Sequence, residues 1–241
     1  MRVFGANYNL NSLSEGFRRG KYHRITGNSV ALVGNGERLL QSKIYHSIQF
    51  LMMRRADYTD RDLIVNILAK SFDDNKSVNY IVKQDDKRAS RMRKLMEYSF
   101  DVCYFFGDIF LTDDRKGCAL IVMPDKKKTT FKSIMLDAKL ALSVIGLSNI
   151  KRAMNRESRI NKLHPKQPFY YLWFIGVDPT EQNNGIGTKL LKDVINEAKS
   201  KNRPVYLETS TLKNIPWYEK FGFTVYNNLD FGYELFCMKN E

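Results

Sequence analysis

Cysteine, histidine and proline are scarce in this chain, with three, three and six residues among 241. Cys103, Cys118 and Cys237 are widely separated and lack metal-ligand spacing, and an odd count argues against a disulfide framework. With histidine only at His23, His46 and His164, no metal site is expected. Unpaired thiols point to a reducing, cytoplasmic setting. No apolar run reaches the ~18 residues that span a bilayer, so no membrane-crossing segment is expected. The start of the chain shows no charged, apolar and cleavage-site succession, so no secretory leader is expected either. Acidic residues are the minority sign, 26 against 39 Lys and Arg, for a net charge of +13. That balance favours anionic ligands. The basic residues are scattered and no nucleic-acid motif stands out, so nucleic acid is not the expected partner.

What is present reads as a globular protein, 43% hydrophobic and 27% charged. Residues 1–50 differ from the rest. They hold seven Lys/Arg and two acids, and Gly16, Gly20, Gly27, Gly34 and Gly36 interrupt any period. This stretch is expected to be a poorly ordered N-terminal extension to a domain over 51–241, and Gly34-Asn35-Gly36 a simple turn. A strand is predicted at 51–56. A helix should follow, N-capped by Thr59 with Asp60 and Asp62 in its first turn and Leu63, Ile64, Ile67, Leu68 and Phe72 on one face. A second helix is predicted within 86–106, then a hairpin of strands 108–112 and 117–123.

Residues 124–165 read as a helical insertion. Phe131, Ile134, Met135, Ala138, Ala141, Leu142 and Ile145 form one stripe, expected to be an apolar underside beneath a solvated basic face. Ile150, Ala153, Met154, Ile160 and Leu163 form a second helix after a break near Gly146. Lying between the third and fourth strands, this insertion can also serve as a lid over an acceptor pocket. A helix beyond residue 188 carries Leu190, Leu191, Val194, Ile195 and Ala198, a strand covers 205–208, and a last hairpin is predicted around Asn227-Asn228.

The most informative stretch is Gln182-Asn183-Asn184-Gly185-Ile186-Gly187, between the apolar run 169–177 and the amphipathic run 188–201. Strand, glycine-bearing turn and helix start make an anion site, because a helix N-terminus presents unpaired N–H groups and glycine lets the backbone come close. The same two glycines would also serve a plain strand-to-helix connection. The dinucleotide fingerprint, G-x-G-x-x-G, is absent.

The pattern Q-x-x-G-x-G resembles the acyl-CoA-binding turn of the GNAT superfamily of N-acetyltransferases. About twenty residues on, VYLETSTLKNIPWYEKFGFTV at 205–225 is similar to the corresponding GNAT segment, most of all to that of puromycin N-acetyltransferase and its relatives. The resemblance implies an α+β fold, a mixed, mainly antiparallel twisted sheet flanked by helices. It implies acetyl-CoA as acetyl donor, and as acceptor a primary amine on a small molecule or a protein. By resemblance, the backbone of Ile175, Gly176 and Val177 holds the pantetheine arm. Asn184, Gly185, Gly187 and Thr188 hold the pyrophosphate in a turn completed by Gln182, Asn183 and Ile186. Asn214 contacts the pantetheine and Tyr218 protonates the leaving thiolate. Glu208 is the candidate base, though a strand carboxylate can equally hold a neighbouring hydroxyl or backbone group. Tyr218 could instead pack as an aromatic and Asn214 could cap a short helix. Many relatives have a basic residue where Asn184 stands, and the fourth strand here lacks the carboxylate that often serves as base. A non-catalytic acyl-CoA sensor on the same fold is the alternative reading.

Overall fold

The computed structural model describes residues 53–241; the expectations for 1–50 lie outside them. The described residues form a seven-stranded sheet in the order β1-β2-β3-β4-β5-β7-β6. Its strands are β1 (Met53–Arg55), β2 (Gly107–Thr112), β3 (Gly117–Val122), β4 (Tyr170–Val177), β5 (Val205–Thr209), β6 (Thr224–Asp230) and β7 (Glu234–Asn240). All neighbours run antiparallel except β4 and β5. Helices α1 (Arg61–Ser71), α2 (Lys76–Ile81) and α3 (Arg88–Phe106) precede the β2–β3 hairpin, α4 (Phe131–Leu140) and α5 (Ile150–Asn161) fill the insertion, and α6 (Ile186–Ser200) and α7 (Ile215–Glu219) flank β5. No single described helix is long and apolar enough to cross a membrane.

Two apolar layers cover the sheet. Ile64, Leu68, Met96, Phe100 and Val144 pack with Leu111 and Leu120 on one face. Leu190, Leu191, Val194, Tyr218 and Phe223 pack with Ala119, Ile121 and Leu172 on the other. Each strand of the middle of the sheet is therefore covered on both sides, and every residue of β3 is buried.

Four local expectations are corrected. Asp57, not Thr59, caps the first turn: its carboxylate accepts from Thr59 N at 2.8 Å, and Asp60 bonds back to Asp57 N at 3.1 Å. A carboxylate two residues earlier makes the better acceptor, and Thr59 becomes one of its donors. The last hairpin turns at Gly232, with φ 80°, while Asn227 and Asn228 pair with Cys237 and Phe236 inside the strands. Short polar residues alone did not mark the turn; the left-handed glycine does.

The third correction concerns the insertion. Phe131, Ile134, Met135, Ala138 and Leu142 of the expected stripe are exposed, Phe131 by 79%, while its Ala141 and Ile145 are buried as expected, together with Ser133, Asp137, Leu140 and Val144. Polar anchors explain the rotation. The Thr130 hydroxyl caps Ser133 N, and buried Asp137 accepts from Tyr98 Oη at 2.7 Å. These bonds fix the helix with its more polar side against the domain.

The fourth correction lies in β4. Strict alternation predicts Tyr171, Trp173 and Ile175 on one face and Tyr170, Leu172 and Phe174 on the other. The register passes from Ile121↔Leu172 to Leu120↔Phe174, leaving Trp173 as an extra residue in a bulge. A bulge reverses the faces beyond it. Tyr171, Trp173 and Phe174 accordingly pack on the α1–α3 side, and Tyr170, Leu172 and Ile175 on the α6 side.

Candidate functional site

The parallel pair β4–β5 is the source of the site. Only Tyr170↔Val205 and Tyr171↔Tyr206 are paired. Beyond them β4 stays with β3 to Val177 and β5 stays with β7 to Thr209. The strands part just where the bulge bends β4, and a cavity of about 880 Å³ fills the gap. That is ample for a small-molecule site. Ile175, Gly176 and Val177 line it, on a β4 edge that has no strand partner toward β5.

At the open end of the gap, the chain turns into α6. Asp178 caps a short turn by accepting from Thr180 N at 3.1 Å, Gln182 is extended, and Asn183 takes a left-handed φ of 67°. Gly185 takes φ 77° and occupies the N-cap position. Glycine brings no side-chain cap, so the first N–H groups of α6 face the cavity side uncapped, with the positive end of the helix dipole behind them. Gln182, Asn183, Gly185, Ile186, Gly187 and Thr188 all line the cavity. Asn184 departs from the expectation: it is exposed, does not line the cavity, and its amide reaches Glu181 at 3.5 Å.

Helix α7 closes the opposite wall. Asn214 stands at its N-cap without a capping bond, so the plain capping role is not observed, and its residue lines the cavity. Trp217 Nε1 donates to Thr188 Oγ1 at 3.3 Å, tying α7 to the first turn of α6. Tyr218 is buried at the same wall, its ring against Trp217 and Phe223 at 4.8 and 5.5 Å between centroids. Burial alone pushes its phenol well above its ordinary pKa, so the proton stays on.

Glu208 lines the cavity from β5, with its side chain 5% exposed. One oxygen meets His164 Nε2 at 3.0 Å and the other accepts from the Tyr171 hydroxyl. His164 lies in the loop after α5, with its side chain 10% exposed and packed against this carboxylate. Burial lowers the imidazole pKa, yet the Glu208 hydrogen bond and charge, with the charge of Glu157, outweigh it and the net shift is upward. Burial and the charges of Glu208 and Glu157 hold the Tyr171 phenol protonated.

Arg156 of α5 was also missed. It is 8% exposed and lines the cavity. Its Nε donates to Tyr233 Oη at 3.0 Å and its Nη2 to Ser77 Oγ at 2.5 Å. One signal existed in sequence: the apolar stripe Ile150, Ala153, Ile160 runs through position 156–157, so a charge had to enter the buried face. For His164, no local spacing pointed to a carboxylate 44 residues away. The three cysteines are buried and none lines the cavity. Burial raises the thiol pKa of each, that of Cys237 to about 12.

This arrangement matches proteins already known. Residues 83–223 match the acetyltransferase (GNAT) family. An uncharacterised N-acetyltransferase of Schizosaccharomyces pombe is 43% identical over 54 residues, 22% of this chain and 22% of that protein's length. Among solved structures, the fold resembles a histone acetyltransferase HPA2 and related acetyltransferase from Corynebacterium glutamicum, with TM-score 0.59 and 19% identity over 78% of this chain and 94% of the other. It also resembles the C-terminal condensation domain of Ebony, solved with beta-alanyl-dopamine, with TM-score 0.59 and 10% identity over 78% and 97%. An N-acetyltransferase of Staphylococcus aureus gives TM-score 0.51 and 18% identity over 78% and 99%. At these identities the solved structures establish the shared fold.

Proposed function

The chain belongs to the GNAT acetyltransferase family, and from that premise we propose that it is an N-acetyltransferase moving acetyl from acetyl-CoA to a primary amine by direct attack in a ternary complex. The observation that carries this reading is the parting of β4 from β5 over a cavity that also receives the uncapped α6 N-terminus, Tyr218 and Glu208.

In this reading the free edge of β4 at Ile175, Gly176 and Val177 takes the pantetheine amides as an added strand would. The α6 N–H groups, from Gly185 through Thr188, take the pyrophosphate, with Gln182, Asn183 and Ile186 shaping the turn. Phosphate binding rests on backbone dipoles, since Asn184 points to Glu181. Asn214 holds the pantetheine arm. Glu208 receives the proton the amine loses, and His164 and Tyr171 hold that carboxylate in place. The nitrogen lone pair forms the new C–N bond as the C–S bond breaks, and Tyr218 gives its proton to the departing sulfur. The buried thiols fit a cytoplasmic protein. The likeness of 205–225 to the puromycin N-acetyltransferase segment bears on CoA and fold more than on the acceptor.

One feature favours the sensor reading: both oxygens of Glu208 already have partners. Thiol release from acetyl-CoA against an amine panel separates the two. Release with at least one amine, matched by an acetylated product in mass spectrometry, supports transfer. Acetyl-CoA binding with no release from any amine would leave the sensor.

A further inference from the structure

Arg156 has more donors than the protein uses. A guanidinium carries five N–H groups. Here one on Nε reaches Tyr233 and one on Nη2 reaches Ser77. The nearest carboxylate, Glu157, is 3.9 Å from Nη1, beyond hydrogen-bond reach. Three N–H groups of a side chain 10% exposed thus lack a protein acceptor among the described residues. Glu157 and the Phe231 ring, 5.9 Å from Cζ, offset part of the charge, but donors buried without an acceptor remain costly unless something else supplies one.

Its position defines what that is. Two other cations line the cavity, Lys70 and Lys213, and both are at the surface, with Lys70 62% exposed and paired to Asp178. Arg156 is the buried one. Its charge acts on the Tyr171 hydroxyl, the same hydroxyl that bonds Glu208. Tyr171 is the last residue of β4 paired to β5, at the closed end of the gap. The α6 turn follows Val177, six residues further, or roughly 20 Å of extended strand. Arg156 and Glu208 line the same cavity, and Tyr171, which the Arg156 charge reaches and which bonds Glu208, stands at its closed end, away from the α6 turn.

We propose that Arg156 is the carboxylate-binding half of the acceptor subsite, so that the acceptor is an amine that also bears a carboxylate, an amino acid or a close analogue. This rests on the acetyl-transfer reading above. The carboxylate meets the free fork of Arg156, and the amine is placed beside Glu208, which takes its proton. Tyr233 and Ser77 hold the guanidinium plane from the β6–β7 turn and from α2, so the fork is ordered before the acceptor arrives. A planar bidentate pair is the geometry arginine provides and lysine does not.

The test is a matched panel on the wild-type protein: tyrosine against tyramine, lysine against cadaverine, phenylalanine against phenethylamine, and β- and γ-amino acids against the amines left when the carboxyl is removed. The expected result is a kcat/KM about 10–100-fold higher for the carboxylated member of at least one pair, residing mainly in KM. Arg156→Met should erase that ratio, and Arg156→Lys should restore part of it. A purely structural arginine would lower both members of a pair alike. Circular dichroism checks that the variants fold, and the wild-type panel stands even if they do not. Equal use of both members, or a preference that survives in Arg156→Met, overturns the proposal. So does acetylation of other amines with no member of the panel acetylated, whereas acetyl-CoA bound with no amine acetylated leaves the sensor reading. Failure of acetyl-CoA to bind in calorimetry overturns the acetyl-transfer reading instead.

Discussion

Glu208 and His164 form a half-buried pair, Oε1 to Nε2 at 3.0 Å, linking the fifth strand to the loop that leaves the insertion. Because the folded pKa of His164 is raised above 6.5, mostly by Glu208 against the opposing effect of burial, the imidazolium stabilises the fold. The sign follows from linkage: the contribution is fully present below the unfolded pKa and is lost as pH rises through the higher, folded value. His164→Gln keeps a donor but no charge. The melting-temperature gap between wild type and variant should be widest below the ordinary imidazole value of about 6.5 and narrow as pH rises above it. A gap that stays constant over that range would mean that His164 is neutral in the folded protein.

Gly185 offers a clean probe of the proposed pyrophosphate turn. A Cβ there would meet nothing within 4 Å, although φ 77° disfavours any other residue. Gly185→Glu should cost about 1 kcal/mol of backbone strain and leave the fold intact. It would place a carboxylate before the uncapped α6 N–H groups. Titration calorimetry should show CoA affinity largely lost while circular dichroism is kept. A folded variant with unchanged affinity would move the phosphates elsewhere.

How far the sequence reaches depends on the range of the interaction. The turn at 182–188 was legible because glycine placement and a strand-to-helix transition are local. So was the short helix bearing Tyr218, with Pro216 in its first turn. The bulge at Trp173 was not, because it is a register event against β3, invisible within β4 itself. Yet the bulge decides which aromatics of β4 face which layer. Arg156 and His164 were hidden for a related reason: their partners, Ser77, Tyr233 and Glu208, are 44 to 79 residues away. Asp137 shows local pattern giving way to tertiary bonding, since its bond to Tyr98 goes with the outward turn of Phe131, Ile134 and Met135, while Ala141 and Ile145 of the same stripe stay buried.

That reversal is measurable. Leu140 is 1% exposed and Leu142 is 65% exposed. Leu140→Ala should destabilise by about 2–5 kcal/mol, the usual cost of emptying a buried leucine site. Leu142→Ala should stay within about 0.5 kcal/mol. Denaturant unfolding of both variants checks this. Equal losses would put the stripe back against the domain.

Tyr218 carries the chemical half of the proposed mechanism. It is buried in the α6–α7 layer and lines the cavity, so it combines packing with a place on the cavity wall. Burial raises its pKa, which keeps it a neutral donor throughout the physiological range. Tyr218→Phe retains the ring contacts with Trp217 and Phe223 and removes only the hydroxyl. Fold and CoA affinity should change little, and turnover should fall by roughly 10²–10⁴-fold if chemistry limits the rate. If product release is limiting, steady-state kcat will understate the loss and a single-turnover rate will reveal it. The position of the deficit matters as much as its size, since a lost packing contact would lower stability and CoA affinity together. A variant with the wild-type single-turnover rate across the pH range would make Tyr218 a wall of the cavity, and water or another donor would then protonate the thiolate.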